Sequence, residues 1–152
     1  MKSRILRKRK KGGGRVIVDK DALVHDPEQR LVRAIIRICD AMAVTDGLEG
    51  HYESIARIYP PIRRAMSRLK GHRRKLVKIQ GTVPKELPPN FRKAFSNSGD
   101  EYLIEAARDT GARFVITDDH EVLASSRIGG CKDYYLKTGL EIVTREEYAA
   151  RA

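Results

Sequence analysis

The chain has 152 residues, of which 41% are hydrophobic, enough for one domain whose core needs neither disulfides nor structural zinc. No apolar run approaches the ~20 residues of a membrane span and the N-terminus lacks the apolar segment of a secretory signal, so a cytoplasmic protein without a membrane partner is expected. The formal net charge of +11 is informative through its placement, because residues 1–15 and 57–78 together hold 17 of the 31 Lys and Arg and none of the 20 Asp and Glu.

Residues 1–14 carry Lys2, Arg4, Arg7, Lys8, Arg9, Lys10 and Lys11 and end in Gly12-Gly13-Gly14. With few apolar groups they read as a flexible basic arm, leaving 15–152 as the folded domain. Arg15-Val16-Ile17-Val18-Asp19 reads as a buried strand, followed by a helix over about 28–39, a strand over 41–44 and a helix over about 46–58. A basic helix over about 61–75 places Ile62, Ala65, Met66 and Leu69 at helical spacing with its arginines on the other faces. A proline-rich loop covers 83–90. Then come a helix from Asp100, a strand over 113–117, a short helix or turn near 120–126, a strand over 140–143 and a terminal turn over 144–150. Strands alternating with helices predict an α/β fold with a mostly parallel sheet covered on both faces. Cys39 at the end of the first long helix, and Cys131 in a loop after Gly129-Gly130, lack the spacing of metal or redox motifs and are expected to pack.

Cations without an interleaved acid repel one another, and a polyanion relieves that repulsion while releasing its own counterions. Nucleic acid is therefore the expected partner, held by Lys8, Arg9, Lys10 and Lys11 of the arm and by Arg63, Arg64, Arg68, Arg73, Arg74 and Lys75 of the basic helix. Aromatic residues are sparse in both segments, which favours phosphate contact over base stacking there. An acidic protein would satisfy the same charges.

Asp19 closes the first strand and Asp119 closes Phe114-Val115-Ile116-Thr117-Asp118, so both fall at the carboxyl edge of the sheet, where open α/β folds bind ligands. Asp100 precedes the helix that carries Tyr102, Leu103, Ala106 and Ala107, and the distance from Asp100 to Asp119 suits one helix followed by one buried strand. Aspartate after a strand is also an ordinary cap or turn residue. Carboxylates drawn together from separate elements, however, repel unless a cation lies between them, and oxygen ligands suit Mg²⁺ or Mn²⁺.

Val16-Ile17-Val18-Asp19-Lys20-Asp21-Ala22-Leu23, the block from Gly99-Asp100-Glu101-Tyr102 through Phe114-Val115-Ile116-Thr117-Asp118-Asp119, and the closing Gly139-Leu140-Glu141-Ile142-Val143-Thr144-Arg145-Glu146-Glu147-Tyr148 together resemble the PIN domain family, in particular its toxin nucleases, over about residues 15–150. The resemblance implies a three-layer α/β/α fold and metal-dependent cleavage of RNA. It further implies Mg²⁺ or Mn²⁺ on Asp19, Asp100 and Asp119, with Thr117 orienting Asp119 and Glu121, where many relatives carry an acid, as a further ligand. An antitoxin or a second copy of the chain are the protein partners it suggests.

One position departs from that pattern. The family usually has a glutamate six residues beyond a capping Ser or Thr after the second strand, and counting from Thr45 reaches His51. Glu49 and Glu53 lie two residues to either side, about 200° around the helix. The resemblance thus puts His51 at the fourth catalytic position, where it could bind Mn²⁺ through a neutral nitrogen or donate to phosphate when protonated but would hold Mg²⁺ poorly; a lone histidine on a helix surface is also commonly incidental. Asp21 and Asp118 flank the cluster, Asp118 as a solvated turn residue, and Lys20 offsets local negative charge or points to solvent. Two other classes fit part of the chain. One is an RNA-binding module with a degenerate site; the other is a phosphatase of the haloacid dehalogenase type with Asp19 as covalent nucleophile. The second leaves the Asp100 block unexplained.

Overall fold

The computed structural model describes residues 14–79, 87–95 and 101–152, apart from the side chains of Pro27 and Arg92. Residues 1–13 of the arm, residues 83–86 of the proline-rich loop and Asp100 lie outside the described residues. Five strands, β1 (Arg15–Val18), β2 (Ala41–Val44), β3 (Leu76–Lys78), β4 (Phe114–Ile116) and β5 (Glu141–Val143), form one all-parallel sheet in the order β3-β2-β1-β4-β5. The helices are α1 (Lys20–Val24), α2 (Arg30–Ile38), α3 (Asp46–Ala56), α4 (Pro60–Lys70), α5 (Asn90–Ala94), α6 (Glu101–Thr110), α7 (His120–Ala124), α8 (Gly129–Thr138) and α9 (Arg145–Ala149). They complete a three-layer α/β/α fold in which α2 packs with α4 and α9, and α6 lies over β1, β2 and β4. Among the described residues no helix is long and apolar enough to cross a membrane.

Burial on both faces explains why the central strands are unbroken apolar runs and not alternating ones. Val16, Ile17, Val18, Met42, Ala43, Val44, Val115 and Ile116 have no exposed surface. On the basic helix Ile62, Ala65, Met66 and Leu69 are all buried, as their spacing predicts.

Several boundaries differ from the sequence reading for local physical reasons. The helix expected from 28 begins at Arg30, because Glu28 and Gln29 take positive φ angles and Asp26 caps α2 by accepting from the N–H groups of Leu31 and Val32. The basic helix stops at Lys70, and β3 follows within the stretch expected to be helical or coil. Cys39 closes α2 in the left-handed conformation and is exposed, so it does not pack. Cys131 does pack, but from helix α8 and not from a loop. Gly130 stands in the first turn of that helix where a β-carbon would overlap the side chain of Asn90 on α5. The terminal turn is helix α9, started by a capping box in which Thr144 and Glu147 exchange side-chain and backbone hydrogen bonds.

At the amino edge of the sheet a buried ion network ties separate elements together. Asp40, 1% exposed, precedes β2. Its Oδ1 accepts from Arg113 Nη2 at 2.9 Å and its Oδ2 from the Tyr148 hydroxyl at 2.7 Å, while its carbonyl accepts from Lys75 Nζ at 3.1 Å. Burial, and then the Asp40 charge, push the Tyr148 phenol well above its ordinary value, which keeps it a donor. Tyr148→Phe leaves a buried carboxylate oxygen without that donor and should lower unfolding free energy by about 1–3 kcal/mol in urea titrations. Wild-type stability would show that Arg113 alone satisfies Asp40.

Candidate active site

The chain builds the sheet outward from β1 through β2 to β3, then returns to place β4 on the other side of β1. The carboxyl ends of β1 and β4 therefore flank the point where strand order reverses, the usual ligand crevice of such sheets. Val18 pairs with Ile116, so the next residues, Asp19 and Thr117, emerge side by side. The Asp19 N–H donates to the Ile116 carbonyl at 2.9 Å.

Thr117 is fully buried and joins the two aspartates. Its hydroxyl donates to Asp19 Oδ2 at 2.8 Å and accepts from the Asp119 N–H at 3.0 Å. Asp119 in turn caps α7, its Oδ1 accepting from the N–H groups of Glu121 at 2.8 Å and Val122 at 3.3 Å. The cap engages one carboxylate oxygen and fixes the direction of the other. Asp19 is only 2% exposed, so its charge is held by directed contacts in place of bulk water. Asp118 is not a solvated turn residue: it is half-buried, accepts from the Arg145 N–H at 3.3 Å and pairs with Arg145 Nε at 3.5 Å.

Thr45 caps α3 by accepting from the Leu48 N–H at 3.3 Å, which sets the rotation of that helix. Glu49 turns toward Lys78, at 3.2 Å, and Glu53 is exposed beside Arg57 and Arg63, so neither glutamate enters the crevice. His51 instead faces α6, its ring 5.6 Å from that of Tyr102 in an edge-to-face arrangement. Its Nε2 is buried without a hydrogen-bond partner among the described residues. Burial, and secondarily Lys20, lower the His51 pKa below its ordinary 6.5. Tyr52, the next residue, is fully buried and its hydroxyl has no hydrogen-bond partner among the described residues. Burial, then the charge of Asp19, push its phenol well above the ordinary value, which puts that hydroxyl in the electrostatic field of the site.

Between α3 and α6 lies a cleft of about 410 Å³ lined by Gly47, Leu48, His51, Tyr102, Glu105 and Asp109. Tyr102, Glu105 and Asp109 stand three and four residues apart and share one face of α6. That spacing was present in the sequence, but an apolar stripe on the same helix drew the reading toward the core.

Asp19 and Asp119 are oxygen donors of the kind that suits Mg²⁺ or Mn²⁺. Among the described residues, however, no three His, Cys, Asp or Glu side chains form a group that could hold an ion, so Glu121 does not complete a set with them. Its described role is the backbone N–H in the α7 cap. The donors fit such an ion in kind, and the third expected carboxylate, Asp100, lies outside the described residues. No protein-family model, curated protein or solved structure matches the chain. Its chemistry is therefore read from these residues.

The basic surface divides on inspection. Arg63, Arg64, Arg68, Lys70, Arg73 and Arg74 are exposed on α4 and the turn after it, with Arg68 donating to Gln29 Oε1 at 2.8 Å. Lys75 is instead half-buried and donates to the Asp40 carbonyl at the amino edge. Lys78 pairs with Asp46 at 2.9 Å and with Glu49. Lys8, Arg9, Lys10 and Lys11 lie outside the described residues.

The lowered His51 pKa has a defined consequence for stability. Folding disfavours the protonated ring, so this contribution is fully present above the unfolded value near 6.5 and is lost as pH falls through 6.5 toward the folded value. Urea unfolding between about pH 8 and pH 5 should therefore show a smaller acid loss in His51→Gln than in the parent. Identical slopes would mean that His51 titrates normally.

Proposed function

We propose that the protein is a metal-dependent endoribonuclease of the PIN type, hydrolysing RNA phosphodiesters with Mg²⁺ or Mn²⁺. The observation that carries this reading is the Asp19–Thr117–Asp119 unit at the point where strand order reverses, where one buried hydroxyl links the Asp19 carboxylate on one strand to the Asp119 backbone N–H after its neighbour. Asp19 and Asp119 would hold the ion together with Asp100, which the sequence puts immediately before α6. When bound, the ion supplies the Lewis acidity that activates water and neutralises charge on the leaving oxygen.

The chain's own residues do the rest. Thr117 fixes the direction of Asp19 and the backbone of Asp119, so the carboxylates need not reorganise around a substrate. The exposed Arg63, Arg64, Arg68, Lys70, Arg73 and Arg74 draw in the phosphate backbone, as do the cations of the arm. These contacts bind and position RNA without reading its sequence. An acidic antitoxin would compete for the same cations, and a cytoplasmic location follows from RNA as the substrate.

A second reading, an RNA-binding module without turnover, is favoured by His51 standing where the resemblance expects an acid. A phosphatase has less support, because a nucleophilic Asp19 that is 2% exposed and held by Thr117 is poorly presented to a substrate.

Purified protein incubated with mixed RNA should cleave it with Mn²⁺ or Mg²⁺ and not with chelator, and should not hydrolyse small phosphomonoesters. Asp19→Asn and Asp100→Asn should each reduce cleavage by about 10²-fold or more while RNA binding persists. Cleavage in chelator, or in those variants, contradicts the proposal; RNA binding with no cleavage under any condition selects the binding module.

A further inference from the structure

The cleft between α3 and α6 differs in composition from the basic surface of α4. Glu105 and Asp109 contribute carboxylates to one wall. Asp109 is partly neutralised by Arg108 Nε at 3.2 Å, but Glu105 is half-buried and has no hydrogen-bond or ion-pair partner among the described residues. A phosphate would be repelled from this wall. What the wall attracts is a group with N–H donors.

The opposite wall offers complementary chemistry. Gly47 presents no side chain, and a β-carbon built there would meet nothing within 4 Å, so the first turn of α3 stays open to the cleft. Thr45 takes the Leu48 N–H, and the earlier N–H groups of that turn lie at the positive end of an 11-residue helix. His51 adds a buried Nε2 that lacks any described partner, and the His51 and Tyr102 rings bring flat aromatic surface. The cleft therefore combines acceptors on one side, donors on the other and aromatic rings between them. This is the complement of a nucleobase edge.

Resting on the nuclease reading above, we infer that this cleft is a base pocket for guanine in the bound RNA, with Glu105 as the residue that selects it. Guanine alone among the four bases carries two adjacent donors, N1–H and N2–H₂, that one carboxylate accepts together, beside the O6 acceptor that faces the α3 donors. Adenine and cytosine offer a single amino donor next to a ring acceptor, and uracil offers one N–H between two carbonyls. Each of these leaves a Glu105 oxygen unpaired or brings it against a lone pair, which costs affinity. The basic helix then supplies affinity without sequence information, and the cleft supplies the preference that phosphate contacts cannot.

The test is a titration of the full-length protein, in chelator, with GMP, AMP, CMP, UMP and IMP, followed by amide NMR shifts of Gly47, His51 and Glu105. All five share the phosphate, so differences among them isolate the base. GMP should bind about tenfold more tightly than AMP, CMP or UMP, and IMP, lacking the N2 amino group, should lose most of that advantage. Glu105→Gln replaces two acceptors by one acceptor and one donor and should erase the preference. Gly47→Leu, whose β-carbon has room, should fill the cleft and abolish the shifts without unfolding α3. Equal affinities, no binding, or a guanine preference that survives Glu105→Gln would each overturn the inference. Guanine-selective binding without RNA cleavage would leave the pocket standing and refute the nuclease reading. Metal-dependent cleavage with no guanine preference would do the reverse.

Discussion

One hydroxyl group, that of Thr117, sets the arrangement on which the carboxyl edge of the sheet depends. A hydroxyl has one hydrogen to give, and here it goes to Asp19, while the oxygen accepts the Asp119 N–H. Because Asp19 follows β1 and Asp119 follows β4, that exchange joins the two strands that flank the reversal of strand order. A buried carboxylate left without donors would cost several kcal/mol or take up a proton. The Thr117 contact thus stabilises the charge of Asp19 where the fold offers little water, and it does so in a fixed direction.

The two edges of the sheet make different use of buried charge. At the amino edge, Asp40 is satisfied by Arg113, Tyr148 and, through its carbonyl, Lys75, a network that links β2, the approach to β4, and α9. At the carboxyl edge, the Tyr52 hydroxyl and His51 Nε2 remain without described partners close to Asp19 and Tyr102. Unpaired buried polar atoms are costly, and a structure keeps them where a ligand can satisfy them. At the carboxyl edge the unfilled bonding capacity of His51 faces a cleft.

The parts legible in the sequence were those governed by local pattern. Val16-Ile17-Val18 and Phe114-Val115-Ile116 are apolar runs that only a doubly covered strand explains, and the residue that ends such a run in a parallel sheet is delivered to the ligand edge. Hence the positions of Asp19, Thr117 and Asp119 at that edge could be located. What escaped was set by distant contacts. The three residues of β3 carry too little pattern to read, and they pair because β2 offers an edge. Helix α8 was hidden by Gly129-Gly130, whose second glycine answers to the side chain of Asn90 and not to a turn. Lys75 looked like one more cation of a basic run until Asp40 claimed it. The carboxylates of the α3–α6 cleft became visible only when α3 supplied the facing wall.

The proposed nuclease function requires that the Thr117 hydroxyl hold Asp19 and Asp119 as parts of one cation site. A calorimetric Mn²⁺ titration of the parent, Thr117→Ser and Thr117→Val addresses it directly, with urea unfolding to confirm that each is folded. Serine keeps the hydroxyl and should keep the affinity, whereas valine keeps the shape alone and should weaken Mn²⁺ binding about 10- to 100-fold. A folded Thr117→Val protein that binds Mn²⁺ as tightly as the parent would contradict the claim.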